Sequence, residues 1–241
     1  MQKAEKTSEN IEKVVEEMFG AGAHYGYSKS RRHPSVASYI YATKQSGDII
    51  NLEKTASLLE VATEFAKELG SQGKTLMFVG TKPESQEAIK NAAESLGMPY
   101  VIERWIGGTI SNFGEIKKRI TELENYRKDM AEGGLEKYTK KERVVMAKKM
   151  ERLSRYYSGL VGVKKLPDAL FIIDSKKEHI ASTEAKMTDI PVIALCNSDS
   201  DIRKIDYPII GNDATVPSVK YFINIIAKAF QNGSAAAPQK S

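Results

Sequence analysis

Cysteine is nearly absent from this sequence. Cys196 is the one thiol in 241 residues, which excludes an internal disulfide framework. It closes the apolar run Ile190–Cys196, so a buried, inert thiol is expected there. Histidine is scarce as well, at His24, His33 and His179. None stands at metal-ligand spacing from another His, Cys or carboxylate, so neither a metal nor a cofactor is expected. Long apolar runs are missing: no stretch approaches the ~18 residues needed to cross a bilayer. The opening MQKAEKTSEN is polar, and Glu12, Glu16 and Glu17 argue against a signal or transit peptide. The expectation is a cytoplasmic protein with no membrane contact. No G-x-S-x-G nucleophile elbow occurs.

Two glycine-rich segments imitate phosphate loops and fail on position. Gly70-Ser-Gln-Gly73-Lys74-Thr75 has Glu68 where a Walker loop needs its first glycine, and it precedes a strand instead of following one. Gly20-Ala-Gly22-Ala-His-Tyr-Gly26 has the wrong spacing for a dinucleotide fingerprint and follows a helix.

What the sequence does hold is charge, unevenly placed. The net charge is +5. Residues 115–165 carry 15 Lys and Arg against 8 Asp and Glu, leaving 21 against 23 elsewhere. The whole excess therefore lies in about a fifth of the chain. A local basic surplus suits phosphate neutralisation, since bound cations release condensed counterions. A solvated helix face is the plainer alternative.

The secondary structure alternates. Short apolar runs at Thr75–Val79, Tyr100–Ile102, Ala169–Ile173, Pro191–Cys196 and Tyr207–Ile210 lack period-two polarity, as strands buried on both faces do. Between them run helical stripes, such as Leu58, Val61, Ala62, Phe65, Ala66 and Leu69, or Val219, Phe222, Ile223, Ile226 and Phe230. Thr81-Lys-Pro-Glu84 and Ser175-Lys-Lys-Glu178 match the S/T-x-x-E capping box directly after strands. Strand, cap, helix, strand predicts an α/β fold with a right-handed parallel sheet.

Residues 112–160 break this rhythm. Phe113, Ile116, Ile120 and Leu123 step by threes and fours. After Glu132-Gly133-Gly134, the box Thr139-Lys-Lys-Glu142 opens a second stripe through Met146, Met150, Leu153, Tyr157 and Leu160. Two such stripes about a Gly-Gly turn predict an antiparallel helical hairpin of coiled-coil type. The predicted organisation is therefore a sheet domain at 11–108 and 165–232, an inserted hairpin at 109–164, and disordered tails at 1–10 and 233–241.

Two basic groups are candidates for RNA contact. Lys29, Arg31 and Arg32 are interleaved with Tyr25, Tyr27, Tyr39 and Tyr41, which suits phosphate contact with base stacking; an ordinary basic loop would look the same. The second group lies on the hairpin: Lys117, Lys118, Arg119, Lys140, Lys141, Arg143, Lys148 and Arg152 carry the prediction. Arg127, Lys128, Lys149 and Arg155 stand beside them. Arg104 joins the set at the entry to the hairpin, where Trp105 is expected to be a packing anchor. Carboxylates offer a different reading. Asp174, Asp199 and Asp201 follow strands, and gathered at the sheet's C-terminal edge they would suit a Mg²⁺-dependent phosphotransfer or nucleic-acid enzyme. Asp is also simply common in turns and caps.

Several segments, in order, resemble the bacterial form of the second protein of the small ribosomal subunit. They are Ala23-His-Tyr-Gly26, Ile49-Ile-Asn-Leu-Glu-Lys-Thr55, Phe78-Val-Gly-Thr-Lys82, Arg104-Trp-Ile-Gly-Gly-Thr-Ile-Ser-Asn112, Lys140-Lys-Glu142, Leu166-Pro-Asp-Ala-Leu-Phe-Ile-Ile-Asp174, Ile190-Pro-Val192 and Ile209-Ile-Gly-Asn-Asp213. Together they span roughly residues 18–230. The resemblance implies a flavodoxin-like parallel sheet, with helices on both faces and a protruding coiled-coil hairpin. It implies a structural, non-enzymatic role near the head–body junction of the small subunit. The implied partners are small-subunit rRNA, neighbouring ribosomal proteins and the large first protein of that subunit. Tyr27, His33, Ser182 and Asp189 depart from the family's usual residues.

Overall fold

The computed structural model describes residues 2–45, 47–136 and 138–236; for residues 2–10 it describes the backbone alone. Helix α1 (Gln2–Gly20) leads into an irregular segment and an antiparallel strand pair, β1 (Ile40–Lys44) and β2 (Gly47–Ile50). Then come α2 (Leu52–Ser71), β3 (Leu76–Val79), α3 (Pro83–Leu96) and β4 (Tyr100–Val101). Helices α4 (Phe113–Ala131) and α5 (Lys140–Tyr157) follow, and the chain closes with β5 (Ala169–Ile173), α6 (His179–Met187), β6 (Val192–Cys196), β7 (Tyr207–Ile210) and α7 (Val216–Ala236).

The five apolar runs form one sheet in the order β4-β3-β5-β6-β7, parallel throughout. The order reverses between β3 and β5, the switch point of a flavodoxin-like sheet. Alternate strand residues feed two separate cores. Leu76, Phe78, Phe171, Ile173, Ile193, Leu195 and Ile209 pack with α1, α2, α3 and α7. Met77, Val79, Leu170, Ile172, Val192, Ala194 and Cys196 pack on the other side with α4, α5 and α6. Both faces are covered, so the strands had no polar face to show in sequence.

Helices α2 and α7 cross closely enough for backbone contact. A Cβ on Gly70 would lie 2.1 Å from the Phe230 carbonyl oxygen, and one on Gly233 would lie 2.0 Å from that of Lys67. This approach explains one error at the C-terminus. Gly233–Ala236, predicted as part of a tail, is the end of α7 because Gly233 is a packing glycine; residues 237–241 lie outside the described residues. At the other end, residues 2–10 continue α1 where a tail was expected, in register with the amphipathic stretch Ile11, Val14 and Val15 that packs on the first core.

The capping predictions divide. Thr139 and Glu142 form the full reciprocal box at α5, each accepting the other's backbone N–H. The other two boxes do not form. Lys82, the N-cap of α3, makes no side-chain capping bond, and Thr81 donates its N–H and hydroxyl to Glu178 instead. Ser175 turns its hydroxyl to the Cys196 thiol at 3.1 Å, while Asp174, at φ +66°, accepts the amides of Lys176 and Lys177.

Candidate RNA-binding surface

The carboxylates at the C-terminal edge of the sheet do not assemble into one site. Asp174 pairs with Lys82 Nζ at 2.6 Å, and the same ammonium reaches the fully buried Asp213 at 2.9 Å. Asp213 also accepts from the Asn197 amide. Burial alone would lower the Lys82 ammonium, but Asp213 and Asp174 hold it well above its ordinary range. Asp199 accepts from Lys176 Nζ at 2.8 Å, and Asp201 from the Arg203 guanidinium, also at 2.8 Å. The predicted triad of Asp174, Asp199 and Asp201 is therefore three separate ion pairs. Among the described residues no cluster of three His, Cys, Asp or Glu could hold a metal. Cys196 is buried, and burial pushes its thiol up to about 12.

The basic loop before β1 splits in two. Lys29 and Arg31 lie in a short 3-10 turn and are exposed, with Arg31 stacked 4.8 Å above the Tyr27 ring. Arg32 is turned inward. Its guanidinium grips the buried Asp48 with two N–H groups, Nε at 2.6 Å, and also reaches Thr43. Hydrogen bonding to Arg32 holds the Asp48 carboxyl below its usual range despite burial. Arg32 thus pins the β1–β2 pair, a structural role that the sequence did not predict for it. Of the tyrosines, Tyr25 and Tyr41 are exposed, whereas Tyr27 and Tyr39 are half-buried.

On α4 and α5 the side nearest the sheet is apolar. Ile116, Ile120, Leu123, Met150 and Tyr157 are buried in the second core beside Ile172 and Ala194. The bases of these helices are part of the sheet's cover, a wider contact than the narrow seam predicted. Lys149 and Glu122 pair between the helices, and Arg127 donates to Ser154 Oγ at 3.0 Å. Two predicted RNA contacts have acidic neighbours on their own helix, Lys118 with Glu115 at 2.5 Å and Arg119 with Glu122 at 3.6 Å. Lys117, Lys140, Lys141, Arg143, Lys148 and Arg152 are exposed and take part in no ion pair among the described residues. Lys141, Lys148 and Arg152 are spaced by seven and four, hence on one helix face. Arg104 is exposed one residue before the buried Trp105.

The loop from Trp105 to Ser111 is held by a residue of another element that no sequence pattern flagged. Glu184, buried on α6, accepts from the amides of Gly108 (2.7 Å), Ile110 (3.0 Å) and Ser111 (3.2 Å) and from the Trp105 indole (3.4 Å). Burial would raise its carboxyl, yet these donors hold it below the ordinary range. Its partners lie more than seventy residues away in sequence, so only the fold reveals it.

The family described as ribosomal protein S2 matches residues 18–233. A small ribosomal subunit protein uS2 from Thermus thermophilus is 42% identical over 89% of this chain and 84% of its own length. Those from Wolinella succinogenes and Corynebacterium urealyticum are 38% and 36% identical, over 93% and 94% of this chain and 83% and 85% of their own. The family match, the identities over most of each chain and the flavodoxin-like sheet converge on one conclusion: the chain belongs to the ribosomal protein S2 family, structural constituents of the small ribosomal subunit and not enzymes.

Proposed function

We propose that the chain is held in the small subunit chiefly by rRNA contacts from the exposed cations of α4 and α5, with Lys29 and Arg31 as a second contact. Membership of the family carries association with the ribosome, its RNA and other ribosomal proteins, in the cytoplasm. The finer assignment rests on one observation, the first turn of α5. Lys140, Lys141 and Arg143 crowd the positive end of that helix's dipole, where cations are locally unfavourable. Only Glu142 offsets them, and its carboxylate is already engaged by Thr139. Charge kept where the isolated fold disfavours it fits a partner that supplies the anions.

In this reading residues 109–164 form an inserted hairpin whose helices pair as an antiparallel coiled coil, with base in the core and tip toward RNA. Lys117, Lys148 and Arg152 extend the contact from the first turn of α5, and Arg104 lies at its root. The site is near the head–body junction, with neighbouring proteins and the large first protein meeting other faces. Reversing Lys140, Lys141 and Arg143 to Glu together tests it. Tagged chain should then lose co-sedimentation with small subunits at moderate salt, while its thermal unfolding stays near that of the parent. Association that resists both the reversal and high salt would mean that protein contacts dominate.

A further inference from the structure

We infer that Glu184 is a positioning residue for the α4–α5 pair: from α6 it fixes the loop out of which α4 departs, and so sets how the basic helices leave the sheet. The step rests on the reading that those helices carry the RNA contacts.

The loop makes few bonds of its own. Thr109 donates its amide and hydroxyl to the Ile106 carbonyl, and Asn112 donates to that of Gly108. The amides of Gly108, Ile110 and Ser111 go to Glu184. Helix α4 starts directly afterwards, and its N-cap Asn112 makes no side-chain capping bond. The lead-in to the helix is therefore tied by a side chain of another element. Gly108, at φ +91°, turns the backbone so that the three amides converge, the concave arrangement that suits an anion. Ala181 and Ala185, fully buried on the same helix as Glu184, leave room for the loop to lie against α6.

The chemistry requires a carboxylate. Each oxygen accepts two N–H groups, Oε1 those of Gly108 and Trp105, Oε2 those of Ile110 and Ser111. A glutamine would present its NH₂ to one of those pairs and leave two buried donors unpaired. Burying a charge is a poor route to stability alone, since well-packed apolar groups commonly do as well. What a buried carboxylate adds is direction: four donors are held along fixed lines. Among the described residues the other polar ties of these helices to the rest of the fold, Arg155 to Glu103 at 3.0 Å and the Gly162 amide to Glu124 at 3.1 Å, act at the far end of α5 or along α4, beside the apolar packing of Ile116, Ile120 and Leu123. None of them fixes the entry to α4.

The test uses the full-length chain with Val61→Cys on α2 and Val144→Cys on α5, both exposed sites, spin-labelled for pulsed distance measurement. The buried Cys196 leaves the labels to the introduced thiols. E184Q should broaden the α2–α5 distance distribution, speed hydrogen exchange at Gly108, Ile110 and Ser111, and weaken small-subunit association about tenfold. E184D keeps both acceptor oxygens but draws them back by one methylene, and should move the distance peak without broadening it. An unchanged distribution in folded E184Q overturns the inference. Should E184Q fail to fold, an unmoved peak in E184D overturns it. A broadened distribution with unchanged association leaves the role of Glu184 standing and sinks the RNA reading instead.

Discussion

Lys82 and Lys148 are the same residue type in opposite situations. Lys82 is largely buried at the C-terminal edge of the sheet, with carboxylates on two sides at 2.6 and 2.9 Å. Lys148 is exposed on α5, in line with Lys141 and Arg152, and takes part in no ion pair among the described residues. The basic loop before β1 repeats the contrast within two positions, where Arg32 clamps the buried Asp48 and Arg31 faces outward over Tyr27. Sheet-edge charges are thus tied down within the fold, whereas Lys140, Lys141, Arg143, Lys148 and Arg152 of α5 remain exposed and outside any ion pair among the described residues. This division is why the proposed binding role draws on the positive excess of residues 115–165, and why the Asp residues that resembled an active site carry no such role. It also gives the two regions different mutational signatures, stability in one and salt-dependent association in the other.

The largest expected effect is at the edge. Lys82→Met leaves Asp174 and the fully buried Asp213 without their cation and should cost about 3–5 kcal/mol of folding free energy, read by urea unfolding. Arg32→Ala follows at roughly 2–3 kcal/mol, because Asp48 loses two charge-assisted bonds while, among the side chains of the described residues, Thr43 alone still donates to it. Arg31→Ala, one position away, should leave the unfolding midpoint unmoved. Equal losses at Arg31 and Arg32 would erase the contrast within that loop. Burial also raises the Glu178 carboxyl above its ordinary 4.5. A raised carboxyl stabilises the fold below its unfolded pKa, and that stabilisation is lost as pH rises through the folded value. Stability of Glu178→Gln relative to the parent should therefore improve between pH 4 and pH 7. A pH-independent difference would contradict this. Thr139→Ala removes the hydroxyl of the α5 capping box and should cost about 1 kcal/mol, read as fraying of α5 by amide exchange.

Much of this fold was legible in the sequence for a simple physical reason. Strands buried on both faces, such as Ala169–Ile173 and Val192–Cys196, are continuous apolar runs whatever their neighbours are. The Thr139–Glu142 box was legible because both its partners lie within four residues. Thr81 and Ser175 present the same local pattern, but Glu178 and Cys196 compete for their hydroxyls from adjacent parts of the fold that are distant in sequence. No local rule anticipates such partners. The β1–β2 pair, the inward turn of Arg32, the packing role of Gly233 and the clamp of Glu184 failed to show for the same reason. The candidate site was legible as charge, since exposed cations owe nothing to long-range contacts. Which of those cations the fold would claim for itself was not.

The smallest change in stability should come with the most informative change in binding. Lys148 and Arg152 are exposed on α5, so Lys148→Ala with Arg152→Ala should alter unfolding by no more than about 0.5 kcal/mol. Alanine is at least as good a helix former, which removes loss of helix as a confounding cause. If both side chains meet phosphates, association with small subunits weakens and the slope of log K against log salt flattens by roughly 0.7–0.9 per lost contact. A parallel loss of affinity at every salt concentration would mean uncharged contacts through the same face, and affinity and slope both unchanged would return these cations to the solvent. Lys82→Met supplies the matched control. It should unfold the chain more readily yet leave the slope of whatever protein remains folded as it was, because its charge is taken up by Asp174 and Asp213. The contrast between the two regions stands or falls on that pair of measurements.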